Sequence, residues 1–431
     1  MAIKITGEVV IGDSTDGSYI DMGEQYTAPA GLRRIRHKLV TRESDFYNDR
    51  LVQYSDDNGR TWSGEESVYG DDFLAAPDGS WEIMNHSYTA NIYNPVHKHF
   101  VGMGMQRIFK GGRDKAYHEY WSNGQRGFSD HCFLMVRGEN EETAVPHFIK
   151  YESGADFDPE NPLDGNYFNT NIAYFSIPFV AKNGDVLFAF GPPVSTCCRI
   201  LGVDPHDYFP NYPDNFCGLI VGRAVWNGEH YDFTFSRPAV ISNLQSSRGI
   251  DEPMVAELES GRILVVFRGS NVQAPNWKTR IEPGTPGFKW YCYSDDGGKT
   301  FTNPAPWHFD DGEVIYSSAT FSQFLRANST GKLYWVGNMT GHIINGNYPR
   351  WPLNIVEVDE NYGTAKKDSL TVIDTKRDWE SADLQLSNFT MLEDRESGDI
   401  ELWLAKIGQY SNKEVYRAET WKYRINITGK L

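Results

Sequence analysis

The sequence predicts an all-β chain, a six-bladed β-propeller of four-stranded antiparallel blades, on three observations. A short motif recurs at a nearly constant interval, the segments between its copies have strand periodicity, and the composition suits strands joined by tight turns. The motif is a glycine turn followed by an apolar strand: Gly184-D-V-L-F-A-F, Gly261-R-I-L-V-V-F, Gly331-K-L-Y-W-V-G and Gly398-D-I-E-L-W-L. Successive glycines lie 77, 70 and 67 residues apart. That interval has room for four strands and is too regular for an ordinary mixture of elements. Counting back by the same interval reaches Lys98-H-F-V-G-M-G-M and then Arg34-I-R-H-K-L-V, which makes six units. Radial repetition leaves only short, protected sheet edges, so the repeat reads as a propeller.

Within the units, Leu219-I-V-G-R-A-V-Trp226 and Leu353-N-I-V-E-Val358 alternate or run apolar over strand lengths, and no stretch carries a helical period over helix length. Aromatic residues make up 14% of the 431 residues, beside 40 glycines, a combination that favours strands and turns over disorder. The N-terminal Ile3-K-I-T is expected to pair with the last unit, around Glu414 to Ile427, closing the ring as one domain over 1–431. The insertion from Gly138 to Asn171, rich in Glu, Asp, Pro, Gly and Asn, is expected to cover a rim of the site. Cys197 to Asn215 reads as a second loop.

The formal net charge of -17 argues against nucleic acid, whose binding draws on Lys and Arg. A few arginines focused in one cleft can still hold an anionic sugar. The five cysteines (Cys132, Cys197, Cys198, Cys217 and Cys292) are odd in number and lack metal-ligand spacing, so neither a disulfide framework, a zinc site nor a cofactor is expected. No apolar run approaches the ~20 residues that span a bilayer, so no membrane partner is expected. The N-terminus lacks a basic segment followed by an apolar run. The expectation is a cytoplasmic protein, unless a secretion signal was removed.

Ser55-D-D-N-G-R-T-Trp62 and Ser294-D-D-G-G-K-T-Phe301 share the pattern Ser-x-Asp-x-Gly-x-Thr-aromatic. In it an Asp side chain satisfies the backbone of a hairpin turn, Gly takes positive φ, and the aromatic packs beneath. On these residues the sequence resembles the sialidase (neuraminidase) superfamily, whose propellers carry such Asp boxes as BNR repeats. The resemblance implies a sialidase-like exo-glycoside hydrolase acting on an acidic sugar. It extends to Asp251-E-P-M-V-A-E-L-E-S-G-R-I-L-V-V-F-Arg268, which implies Glu252 as the base that activates the nucleophile and Arg268 as an arginine of the carboxylate-binding triad. Ile315-Y-S-Ser318 implies Tyr316 as the nucleophile. The family's acid/base Asp precedes the first box, which implies Asp45, ten residues before Ser55, with Asp49 as a near alternative. The family's first-strand Arg motif has no counterpart ahead of Asp45. Leu32-R-R-I-R-His37 falls on the expected second strand, which leaves Arg42 or Arg50 for that role and Arg280 or Arg350 for the third arginine.

These roles are chemically coherent. A substrate carboxylate repels a carboxylate nucleophile, so a neutral Tyr activated by Glu is preferable, while an Asp protonates the leaving oxygen. Arginine forks hold a carboxylate through two parallel bonds. A second constellation competes. Trp81-E-I-M-N-His86 places His86 at the start of an expected innermost strand, with Arg107 on the next. A polysaccharide lyase would use such a set: Arg neutralises a uronate and acidifies the adjacent C–H, and His or Tyr moves the proton. A third reading is a non-catalytic carbohydrate-binding propeller. In all three the partner is an oligo- or polysaccharide, expected to carry a carboxylate in the first two.

Overall fold

The structure of the protein, a computed structural model, describes residues 3–14, 16–43, 46–68, 72–86, 90–175, 177–273, 281–282 and 284–429. Six antiparallel sheets, each built on four consecutive strand positions, make the six blades of a β-propeller. The chain divides into two compact units of three blades each, one formed by 1–70, 286–288 and 307–431, the other by 71–285 and 289–306.

In the first unit, one blade runs Tyr19–Tyr26, Arg34–Thr41, Asp49–Ser55 and Glu66–Ser67. A second runs Ser322–Arg326, Leu333–Asn338, Leu353–Asp359 and Thr364–Ala365. The third is composite: Phe389–Glu393, Ile400–Ala405 and Thr420–Asn426 are completed by the N-terminal Lys4–Ile11, with Lys4 opposite Asn426. The expected pairing of the two chain ends is present.

In the second unit, the first blade is Trp81–His86 with Ile92–Asn94, then His99–Lys110, Phe128–Gly138 and Val145–Phe148, with the short Phe73–Ala75 added beyond Trp81–His86. The next is Tyr174–Phe175 with Phe179–Val180, then Val186–Gly191, Ile220–Trp226 and Tyr231–Phe235. The last is Asp251–Glu257, Ile263–Arg268, Lys289–Ser294 and Ala305–Pro306.

The four repeat glycines sit in the first hairpin of their blades with φ of +88, +83, +70 and +73 for Gly184, Gly261, Gly331 and Gly398, where a Cβ would be strained. The strands they launch are cores. Ile263, Leu264, Val265, Val266 and Phe267 are all at 0% exposure, worth roughly 10 kcal/mol together at ~1.5–3 kcal/mol per buried side chain. A continuous apolar run fits a strand covered on both faces.

The two Ser-x-Asp turns are built alike. Asp57 accepts from the Thr61 N–H at 2.8 Å and the Thr61 hydroxyl at 2.7 Å, and Ser55 Oγ accepts from Gly59 N at 2.8 Å. Asp296 accepts from Thr300 at 3.0 and 2.6 Å, and Ser294 Oγ from Gly298 N at 2.9 Å. The threonine bonds hold both carboxyls below the usual range, Asp57 at about 2.

Two expectations need correction. The chain does contain helices, chiefly Arg113–Asn123 and Val194–Leu201. Gly111 and Gly112, at φ +71 and +88, turn the chain out of its strand, and Gly124 at φ +67 ends the first helix by donating to Tyr120 O and Glu119 O. Among the described side chains of that helix Ala116 and Tyr120 are the buried ones, too few to make a stripe that periodicity could reveal. Cys197 to Asn215 is likewise mostly helical turns rather than open loop, and Gly138 to Asn171 contains the strand Val145–Phe148 and the short helix Gly165–Phe168. Among the described residues no helix is long and apolar enough to cross a membrane.

Candidate active site

The strand Asp251–Glu257 loses register with Ile263–Arg268 between Asp251 and Met254. This bulge throws Glu252 and Pro253 out of the ladder, and Pro253 has no N–H to lose there. Glu252 consequently adopts φ +44, a left-handed conformation that costs a non-glycine residue ~1–2 kcal/mol. A bulge re-aims a side chain, and here the Glu252 carboxylate meets Arg268, Oε1 to Nη1 at 3.1 Å. Asp251 Oδ2 lies 3.8 Å from Arg268 Nε and 4.0 Å from Arg248 Nη2.

Two atoms of this pair remain unsatisfied. Glu252 Oε2 and Arg268 Nε are buried and have no hydrogen-bond partner among the described residues. Leaving such groups unmade costs ~1–3 kcal/mol each. Burial opposes the charge of Arg268, yet Glu252 and Asp251 outweigh it and raise its pKa, so it stays a cation.

Arg107, on the strand His99–Lys110, adds a second layer. It is 9% exposed and holds the buried Asp130 with both Nε, at 2.5 Å, and Nη2, at 3.0 Å. Its Nη1 donates to the Tyr117 hydroxyl at 2.8 Å. Arg126 Nη2 reaches Asp130 at 3.3 Å. Burial works against the charge on Asp130, but Arg107 prevails and lowers its pKa. Tyr174 joins the layers: its ring lies 5.9 Å from the Arg107 guanidinium, and it acts electrostatically on Arg268 too. The cluster therefore holds four guanidiniums (Arg107, Arg126, Arg248, Arg268) against three carboxylates (Asp130, Asp251, Glu252). Among these described side chains the cations outnumber the carboxylates by one, in a chain whose net charge is -17.

Two neighbours that could be mistaken for nucleophiles are inert. Burial, with Asp251 beside it, pushes the Cys217 thiol up to about 12. His131 is 3% exposed, stacked 4.1 Å from Tyr167 and bonded to Ser129 Oγ at 2.9 Å, and burial lowers it to about 4. It is a neutral packing residue.

The remaining expected residues have varied settings. Tyr316, in the first unit, bridges backbone with Phe288 and Thr340 and stacks its ring 5.5 Å from that of Phe288. Asp45 and Arg280 lie outside the described residues. Asp49 Oδ1 is occupied by Arg50 N and Ser67 Oγ, each at 2.8 Å. Arg42 is exposed and paired with Asp16 at 3.1 Å. Arg350 donates to Gln385 Oε1 at 2.7 Å and Asn347 O at 3.2 Å. His86 is the last residue of Trp81–His86 rather than the start of a strand, a correction, and its side chain lies outside those described.

Sequence reading missed several members. Tyr117 rides on the unforeseen helix, whose only signal was the bracket Gly111-Gly112 and Gly124. Asp130, Arg126 and Tyr174 belong to no motif. Apart from that cluster, in the first unit, Asp21 on Tyr19–Tyr26 is pushed up to about 7 by burial, against a hydrogen bond from Tyr19 that lowers it.

No protein-family model and no curated protein matches this chain. A protein of unknown function from Dyadobacter fermentans superposes with a TM-score of 0.57 at 12% identity over 99% of both chains. What is shared is the fold. Two other solved structures are also similar: the GH93 α-L-arabinofuranosidase of Fusarium graminearum with arabinobiose, at TM-score 0.47, 10% identity and 97% of both chains, and the Penicillium chrysogenum α-L-arabinanase with arabinobiose, at 0.42, 12% and 99% of both chains.

Proposed function

We propose that this chain cleaves a glycan, as an exo-acting, sialidase-like glycoside hydrolase whose sugar carries a carboxylate. One observation carries the reading: Glu252 is held in a strained left-handed conformation beside Arg268, and each keeps an unsatisfied atom in a site with surplus positive charge. Strain persists where its surroundings impose it, and it clusters at functional sites. Arg268 Nε supplies the donor that a sugar carboxylate needs, and Glu252 Oε2 accepts and returns a proton. The resemblance assigns the nucleophile to Tyr316 and the acid/base to Asp45, and both assignments enter on sequence alone. Arg42 and Arg350 are the candidates for further contacts to the carboxylate.

A second reading, β-elimination on a uronate, is favoured by the 2.8 Å contact from Arg107 to the Tyr117 hydroxyl, since a guanidinium stabilises a tyrosinate that accepts a proton. A panel of aryl glycosides of neutral and acidic sugars and uronate-rich polysaccharides, followed by reducing ends and by ultraviolet absorbance together, decides between them. On the polysaccharides hydrolysis releases reducing ends without the absorbance of an unsaturated uronate, and Glu252→Gln and Tyr316→Phe are expected to abolish it. New absorbance from an unsaturated product moves the assignment to the lyase. Binding without any cleavage leaves a carbohydrate-binding propeller.

A further inference from the structure

Away from the cluster around Glu252, the first unit carries a strip of aromatic and charged side chains on three connecting segments. Trp379 precedes the strand Phe389–Glu393, Tyr410 to Arg417 join Ile400–Ala405 to Thr420–Asn426, and Ser14 lies between Lys4–Ile11 and Tyr19–Tyr26. Trp379 is 59% exposed, and its ring sits 6.1 Å from that of Tyr410. The Arg417 guanidinium covers the other partner of the row, 4.6 Å from the Tyr410 ring. Tyr416 stacks on the buried Tyr19 with centroids 5.7 Å apart and planes 22° from parallel, which fixes the orientation of its ring. Beside it is a pocket of about 190 Å³ lined by Ser14, Lys413, Glu414, Val415, Tyr416 and Arg417.

We propose that this strip binds an acidic oligosaccharide, one sugar ring entering the pocket beside Tyr416 and the chain continuing over Tyr410 and Trp379. The inference rests on the reading of the chain as a glycan-cleaving enzyme and adds a second place where it holds its polymer. Three physical points support that occupant. The pocket is smaller than the ~300 Å³ at which sites begin to take drug-sized ligands, and suits a single ring. A sugar presents an apolar C–H face with a polar rim, which matches rigid aromatic faces edged by Ser14, Glu414 and Lys413. The charge is also suitable. The carboxylates here are taken up, Asp13 and Glu414 by Arg417 at 2.6 and 3.4 Å and Asp16 by Arg42 at 3.1 Å, whereas Lys413 is exposed and makes no ion pair among the described residues, so its ammonium is the charge on the rim left for a sugar carboxylate.

The test is native affinity electrophoresis in gels containing polygalacturonate or, in parallel, neutral arabinan. A Glu252→Gln background keeps the polymer intact. The expected result is retardation by polygalacturonate that Trp379→Ala and Tyr416→Ala each weaken by about five-fold, the loss of one stacking contact. Lys413→Glu is expected to weaken polygalacturonate binding selectively. Unchanged retardation in both aromatic variants, or no retardation of the parent, overturns the proposal. Equal retardation by arabinan, insensitive to Lys413→Glu, overturns its acidic specificity. Turnover of a small aryl glycoside by Trp379→Ala with Glu252 intact is expected to match the unsubstituted protein. If that protein cleaves nothing, the functional reading fails on its own, and the gel result still decides whether the strip binds glycan.

Discussion

The strain at Glu252 can be measured by comparing Glu252→Ala with Glu252→Gly. Both substitutions delete the carboxylate and leave Arg268 with Asp251 at 3.8 Å, so the lost ion pair cancels in the comparison. Only the backbone differs. In an ordinary strand Gly is less stable than Ala by ~0.5–1 kcal/mol because it loses more freedom on folding. At φ +44 Ala pays ~1–2 kcal/mol for its Cβ, and the following Pro253 narrows the choices of residue 252 further. The difference leaves Gly ahead by about 0.5–1 kcal/mol. Urea denaturation followed by intrinsic fluorescence, with both variants at one pH, reads that gap as a shift in midpoint at constant slope. An alanine variant as stable as the glycine variant, or more so, would mean that residue 252 is not held left-handed in solution, and the argument for a preorganised carboxylate would collapse with it. Turnover is expected to be absent in both.

Two further outcomes follow from buried charge. Asp21 holds its proton to about 7 in the folded chain against an ordinary value of 3.8. The folded state binds the extra proton, so this residue's effect is to lower stability as pH rises from about 4 to 7. Asp21→Asn is expected to gain stability over the unsubstituted protein at pH 8 and not at pH 4. The upper bound is about 4 kcal/mol at ~1.36 kcal/mol per pKa unit, and about half that once partial exposure is allowed for; thermal melts at the two pH values check it, and a gain that does not depend on pH refutes it. Arg34 has 0% side-chain exposure and binds Glu24 at 3.0 Å, Glu401 at 2.6 Å and Asp394 at 2.5 Å. Arg34→Met strands buried carboxylates and is expected to cost about 3–5 kcal/mol in denaturant titration.

The fold was legible because it is written six times. In four of the six blades a glycine at positive φ precedes a buried, largely apolar strand, and the first and last strands find each other because the final blade lacks one. The boundaries of the site were legible where a strand motif also carried polar groups, as at Glu252 and Arg268. Tyr117, Asp130 and Tyr174 were not, because each reaches the cluster from a different element and none has a spacing relation to the others. Arg34 shows the opposite error that a motif invites. Its run of basic residues resembles a ligand-binding signal, but three carboxylates from two blades of its own unit consume it.

The repeat also indicates where chemistry can be placed. In the first unit the leading strands of all three blades, Tyr19–Tyr26, Ser322–Arg326 and Phe389–Glu393, pair with their neighbours in unbroken register. Among the described residues of the second unit none does so as a single regular strand. One comes as Trp81–His86 and Ile92–Asn94, the next as Tyr174–Phe175 and Phe179–Val180, and the third carries the bulge at Glu252. A regular leading strand would satisfy its own backbone and point its side chains by strict alternation. Each departure gives up ladder bonds, and the side chains at those departures, Tyr174 and Glu252, belong to the positively charged cluster. A register broken beside Glu252, and kept on all three leading strands of the first unit, is the kind of local exception expected at a functional position. That exception is independent of any family resemblance, and under the proposed function it puts Glu252 and Arg268 first among the positions to test.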